Sequence, residues 1–330
     1  MHQTIDISED HIFQRSPELL YKLLKDHTMS RKKGADRNIF WATSDYEHLG
    51  EGFQYADEIL PEKITGEYST VVQPRICKDR LTQISRSRDK AEVFTPSWIC
   101  NAQNNLIDNA WFGREGVFNT ENPDHTWTVN TERITFPEGK TWKDYVRDTR
   151  LEITCGEAPY LASRYDTVTG EFIPIERRIG LLDRKLRVVS ENCDTSGEWL
   201  EAAQVALKSC YGYEWQGDSL LLARENLLYT FIEFYHQKFG KEPLKKSINL
   251  AAYIISWNLW QMDGLRCVVP GTCGQQKTIN TPFGDQTIEQ PCDGCRKGDI
   301  SKHNGVYCLI RDWRKKTREQ QIESFVKTVK

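Results

Sequence analysis

At 330 residues, with 38% hydrophobic and 28% charged residues, the chain has a globular balance and is long enough to bury a sizeable core, as one large domain with appendages. A formal net charge of -3 excludes a global signature of nucleic-acid binding, so any DNA contact is local, and no apolar run approaches the length of a membrane span. The N-terminus opens Met1, His2, Gln3 before an acidic stretch, and the ten cysteines are mostly scattered. Together these features read as a soluble cytoplasmic protein with reduced thiols and one metal site rather than a disulfide framework.

In chain order, residues 16-26 carry Pro17 in the first turn and Leu19, Leu20, Leu23 and Leu24 at helical spacing, which predicts an amphipathic helix. Residues 39-75 mix aromatics with glycine and proline and predict irregular structure. A helix is expected over Ser97-Asn109 behind Pro96, and a short one over 141-150. Arg150-Cys155 alternates and ends at Gly156, as a strand feeding a turn does. Helices over 176-190 and 198-209 precede a second strand, Ser209-Glu214, and helices over 217-239 and 244-257 follow it. This strand, helices, strand, helices rhythm predicts an α/β sheet. From Arg266 the composition turns to Gly, Pro, Thr, Gln and Cys, with a strand expected over Gly305-Trp313. The expected division is an N-terminal extension over 1-89, a cofactor-binding domain over 90-265 and a Cys-rich module over 266-330.

A nucleoside cofactor with a charged amino-acid end needs a tight turn after a strand, so that backbone approaches it, and a carboxylate to accept ribose hydroxyls. Glu152-Ile-Thr-Cys155-Gly156 supplies the turn, and Glu214 closes the second strand. The run Glu152-Ile-Thr-Cys155-Gly156-Glu-Ala158 resembles the Asp-Pro-x-Cys-Gly-x-Gly turn of adenine-specific DNA methyltransferases, with Glu for Asp and Ala158 for the second Gly. Phe94-Thr95-Pro96 resembles the element that precedes that turn, Tyr213-Glu214 the acidic ribose position, and Trp260-Gln-Met-Asp263-Gly264-Leu265 the segment whose Asp holds the adenine. The resemblance to these restriction-system modification subunits covers Lys90-Leu265, about half the chain. It implies a Rossmann-like S-adenosylmethionine-dependent methyltransferase fold, with Phe94, Thr95 and Pro96 at the methionine end, Glu152, Cys155 and Gly156 in the loop, Glu214 on the ribose and Asp263 on the adenine ring. It also implies DNA as a partner, with a cognate restriction or specificity subunit as another.

The sequence departs from that family where the chemistry is done. The Asn/Asp-Pro-Pro-Tyr/Phe loop, whose polar groups hold the target amine while its aromatic stacks on the extruded base, occurs nowhere. Asn122-Pro123-Asp124-His125 and Val269-Pro270-Gly271 are poor substitutes. Three readings follow: an unusual loop within 266-312, a loop supplied by a partner, or a non-catalytic subunit that binds cofactor and DNA. RNA or protein as methyl acceptor is a further reading, since fold does not fix substrate.

Cys292-Asp-Gly-Cys295 is a two-residue knuckle, and tetrahedral zinc needs four ligands. The expected set is Cys267, Cys273, Cys292 and Cys295, with Cys308 or His303 replacing one of them; free thiols in a polar loop are the competing reading. Two basic clusters, Arg31, Lys32, Lys33 and Arg37, and Lys78, Arg80, Arg86, Arg88 and Lys90, are either solvated faces or local DNA contacts. Trp257, Trp260 and Trp313 are either packing residues or platforms for an extruded base.

Overall fold

The computed structural model describes residues 7–90, 95–281 and 284–329. Three short helices open the chain: α1 (Glu9–Arg15), α2 (Pro17–Leu24) and α3 (His27–Lys33). Ser8 and Asp26 cap α1 and α3 through their side-chain oxygens, and α2 buries its leucines at positions 19, 20, 23 and 24. A long irregular segment leads to α4 (Arg80–Lys90) and α5 (Ser97–Phe112), then to the hairpin β1 (Asn119–Glu121) and β2 (Trp127–Val129) and the short helix α6 (Trp142–Arg147). The Asn122-His125 run forms the turn of that hairpin.

The centre of the molecule is β3 (Arg150–Glu152), α7 (Leu181–Asn192), α8 (Ser196–Lys208), β4 (Cys210–Glu214), α9 (Gly217–Phe239), α10 (Lys245–Asn258) and β5 (Leu259–Gln261). The three strands form a parallel sheet in the order β3-β4-β5, with Glu152 beside Gly212 and Glu214 beside Gln261. Parallel neighbours need crossover connections, and each connection here carries two helices. The α/β expectation is met as a mixed α/β chain whose central sheet has three strands among the described residues.

α9 is buried over most of its length, and residues from Ile12 to Val72 share one apolar cluster with α7, α8, α9 and α10. Burying an aliphatic or aromatic side chain of this kind contributes roughly 1.5–3 kcal/mol. Arg224 of α9 is also buried, and its guanidinium donates to the carbonyls of Leu23, Lys25, Ser256 and Leu259. One side chain thereby satisfies carbonyls near the ends of α2 and α10 that those helices leave open.

The chain continues into the antiparallel ribbon β6 (Gln275–Thr281) and β7 (Gly284–Gln290), then α11 (Asp293–Lys297), β8 (Leu309–Arg311), α12 (Arg318–Gln321) and β9 (Ile322–Ser324), with β8 and β9 antiparallel. A second apolar cluster, including Tyr213, Trp260, Met262, Cys267, Cys308 and Phe325, seats this part against β4 and β5. Among the described residues no helix is long and apolar enough to cross a membrane.

The second basic cluster divides, with Arg80 and Arg88 exposed as a solvated face would have them. Lys78 and Arg86 are buried on the carboxylate of Asp218, which accepts from Lys78 Nζ at 2.9 Å, Arg86 Nη1 at 2.9 Å and Tyr46 Oη at 2.6 Å. Charges spent on a buried partner are not offered to DNA. Arg31, Lys32, Lys33 and Arg37 are exposed as expected.

Candidate functional site

Ligands of open parallel sheets sit outside the carboxyl ends of the strands. A cleft of about 1100 Å³ opens there, where β3 and β4 end, and its wall includes Thr95, Glu152, Thr154, Cys155, Gly156, Glu214 and Gln216. The loop after β3 is conformationally constrained: Thr154, Gly156 and Ala158 adopt φ of 45°, 53° and 61°. Left-handed backbone is costly for residues other than glycine, and such strain gathers at functional sites. Ala42, with φ 52°, lines the same cleft from the N-terminal segment.

This geometry aims the Gly156 N–H at Glu214 Oε2, 2.9 Å away, while the Cys155 N–H donates to Tyr213 O at 2.9 Å. Glu152 accepts from the backbone N–H of Leu161 at 3.1 Å and of Tyr160 at 3.3 Å, so its carboxyl folds the loop back on the sheet. Burial, with the Glu214 charge adding to it, lifts Glu152 to about 8 against those two N–H donors. Burial also raises Glu214, opposed by the N–H groups of Gly156, Gln216 and Trp215. The Cys155 thiol is pushed well above its ordinary value by burial and by both carboxylates, which disfavours the thiolate.

The back wall belongs to α5, through Gln103, Asn104 and Ile107. Its place is fixed by a buried polar network in which Arg184 of α7 donates to Asp108, Asn101 and Asn105 at 2.7, 2.9 and 2.8 Å. Asn104 donates to the carbonyls of Tyr160 and Ile179, both at 3.0 Å.

Of the expected cofactor residues, Thr95, Glu152, Cys155, Gly156 and Glu214 converge on the cleft. Pro96 instead ends the approach to α5, accepting from the N–H of Ile99 and Cys100, and Phe94 lies outside the described residues. Asp263 requires a correction. Its carboxylate accepts from the N–H of Leu265 and Arg266 and from the Arg266 guanidinium at 3.0 Å, and it is not among the residues lining the cleft. Unlike Glu214, which also accepts backbone N–H groups, Asp263 contributes nothing to the cleft wall where an adenine ring would lie. Ala42, Tyr55, Arg88, Gln216 and Ser219, which also line the cleft, carry no sequence motif; the segments holding the first three are far from β3 and β4 along the chain. The tryptophans are packing residues: Trp257 and Trp260 are buried, His27 stacks on Trp257 at 3.9 Å, and Trp313 lies under Arg311 and bonds to Asn258.

A second centre lies at the root of the ribbon. Cys273 precedes β6, Cys292 and Cys295 follow β7, and His303 enters from the loop after α11. The sulfurs are 3.4, 3.7 and 3.7 Å apart, and His303 Nδ1 is 3.4, 3.4 and 3.6 Å from them. A tetrahedral centre with metal–sulfur bonds of about 2.3 Å has edges of about 3.7–3.8 Å, and the S–S distances are far too long for disulfides. This Cys₃His cluster can hold a metal ion. The Cys292 thiol is held down to about 5, chiefly by the Cys295 backbone N–H, which favours the thiolate a metal binds. The His303 N–H donates to Tyr307 Oη at 2.8 Å, and a Cβ at Gly294 would lie 2.6 Å from His303 N, so the knuckle closes only with glycine there.

The cluster is the expected alternative set, with His303 replacing Cys267; the first-choice set of four cysteines is corrected at that position. Cys267 is buried in the second apolar cluster, its backbone tied to Asp263 and Cys308, and Cys308 directs its thiol to Gln261 O at 3.3 Å. The wide gap between Cys267 and Cys273 had a simple cause: only the second of them is a ligand. In comparison with known proteins the chain matches no family model, no curated protein and no solved structure.

Proposed function

We propose that the chain is a DNA methyltransferase-like protein of Rossmann-like type that binds S-adenosylmethionine in the cleft and directs its methyl group to the exocyclic amine of adenine, in a cytoplasmic restriction-modification or phage-defence setting. The observation that carries this reading is the meeting of the Gly156 N–H and the Glu214 carboxylate at the carboxyl ends of two adjacent parallel strands. There the loop backbone can lie against the amino-acid end of the cofactor, and Glu214 can accept ribose hydroxyls. Two carboxyl groups and an acceptor-rich wall suit a ligand that bears an ammonium and a sulfonium. The volume of about 1100 Å³ lies just above the roughly 300–1,000 Å³ range of small-molecule sites, which leaves room for an extruded base beside the cofactor. We further assign zinc to the Cys₃His cluster as a structural ion, since all four positions are filled by protein ligands and none is left for a substrate.

A second reading has its own support. No Asn/Asp-Pro-Pro-aromatic run exists in the sequence, and Asp263 is bound into its own turn, so a cofactor- and DNA-binding subunit whose catalytic loop comes from a partner fits the same cleft. Calorimetry with S-adenosylmethionine, run beside transfer of its labelled methyl group to unmethylated DNA, separates the two. Heat with incorporation into adenine supports the enzyme, heat without incorporation supports the subunit, and no heat rejects both.

A further inference from the structure

We infer that Gln216 reads the adenine ring of the bound cofactor, its side-chain amide pairing with the 6-amino group and an adjacent ring nitrogen. This rests on the S-adenosylmethionine reading above, and it fills the place that Asp263 leaves.

Gln216 stands at the N-cap of α9 and is 5% exposed, in the wall of the cleft two residues beyond Glu214. N-cap positions favour short side chains whose oxygen accepts from the first turn of the helix, and glutamine is not one of them. The Gln216 side chain makes no such bond. Among the described residues its Oε1 is buried without a donor. A buried polar atom left unpaired opposes folding, so its presence needs a cause outside the fold.

Gln261, at the end of β5, shows the opposite case. Its Oε1 accepts from the Phe40 N–H at 3.1 Å, and its Nε2 donates to the carbonyls of Phe40 and Trp215 at 2.8 and 2.9 Å. Gln261 is committed to the fold, and the Gln216 oxygen is not.

The order of the wall matches the order of the ligand. The Gly156 N–H donates to Oε2 of Glu214 at 2.9 Å, and the Gln216 N–H donates to Oε1 at 3.3 Å, so Glu214 stands between the loop and Gln216. In S-adenosylmethionine the ribose joins the amino-acid chain at one end and the adenine at the other. With the ribose on Glu214 and the amino-acid end at the loop, the base falls beside Gln216. Trp215 lines the cleft as well, which gives a purine an aromatic surface next to the amide.

An amide presents an acceptor and a donor side by side, the pattern that pairs with the amine of adenine and a neighbouring ring nitrogen. Asn104 Oδ1, also in the wall, likewise lacks a donor among the described residues. Both Nδ2 bonds of Asn104 go to carbonyls, however, so it offers an acceptor alone.

The test is calorimetry on wild type and Gln216→Leu with two compounds: S-adenosylmethionine, and the same molecule carrying purine in place of adenine, which lacks only the 6-amino group. Thermal unfolding of the ligand-free chains is read beside it. Wild type should bind S-adenosylmethionine about tenfold more tightly than the purine compound. Gln216→Leu should bind both alike, and S-adenosylmethionine about tenfold or more weakly than wild type does. Its unfolding temperature should be unchanged or higher, because an unpaired buried oxygen has been removed. Equal wild-type affinity for the two compounds overturns the inference and leaves the cofactor reading in place. So does a preference for the amine that persists in Gln216→Leu, and a fall in unfolding temperature beside it would assign the side chain to the fold. If Gln216→Leu does not fold, the wild-type comparison decides alone. Heat from neither compound in wild type overturns this inference and the cofactor reading together.

Discussion

The sheet β3-β4-β5 and the ribbon β6–β7 are both too small to stand alone in water, yet they are held by different means. The sheet is buried under paired helices, its central strand β4 buried at four of five positions, and its outlines follow from apolar packing. The ribbon is a single antiparallel strand pair, with Cys273, Cys292, Cys295 and His303 gathered at its root. A core distributes stability over many side chains, while a metal clamp concentrates it in four. The strained loop of the cleft depends on the first arrangement.

The sharpest way to break this contrast is to empty or disable the proposed zinc site. Structural zinc sites are worth about 10 kcal/mol or more, so chelation or Cys295→Ser should release residues 273–308 to fast amide exchange while β4 and α9 stay protected. Loss of protection in both regions together would show that they are one cooperative unit. Asp218→Asn tests the other region. Burial alone would raise the Asp218 carboxyl, but Arg86 and Lys78 hold it well below the usual carboxylate range. Removing that charge strands two buried cations, with an expected cost of about 3–5 kcal/mol in denaturant titration and zinc content unaltered.

Glu214→Ala should be milder for stability, about 1–3 kcal/mol for the unpaired Gly156 N–H, yet abolish S-adenosylmethionine heat. Unchanged cofactor affinity would disconnect the cleft from that ligand. The smallest effect is a pH slope. Glu152 rises from 4.5 to about 8 on folding, so the folded state binds the extra proton, and stability present below about pH 4.5 is lost as pH rises through about 8. Glu152→Gln should flatten part of that decline, with Glu9, also raised to about 8 by burial, accounting for another part. A decline identical to wild type would mean Glu152 ionises in place without cost.

Where local periodicity and packing agree, the sequence is legible. The expected helix over 217-239 coincides with Gly217–Phe239, and the strand over 209-214 with Cys210–Glu214, because burial demands a consistent apolar pattern. The strands Gln275–Thr281 and Gly284–Gln290 are not expected from the sequence, because runs rich in Gln, Asn and Thr lack the apolar alternation that marks a strand. The basic cluster around α4 does not reveal along the sequence that Arg86 has a buried carboxylate waiting on α9.

The sequence by itself determined the strand-turn segment at Glu152–Gly156, the carboxylate at Glu214 and the Cys292–Cys295 knuckle, since each depends on neighbours within a few residues. Only the tertiary structure decided that His303 rather than Cys267 completes the metal cluster, that Asp263 is bound into its own turn, and that Ala42 and Tyr55 help wall the cleft. Those outcomes depend on which distant segments the core brings together, and spacing along a chain does not encode distance across a core.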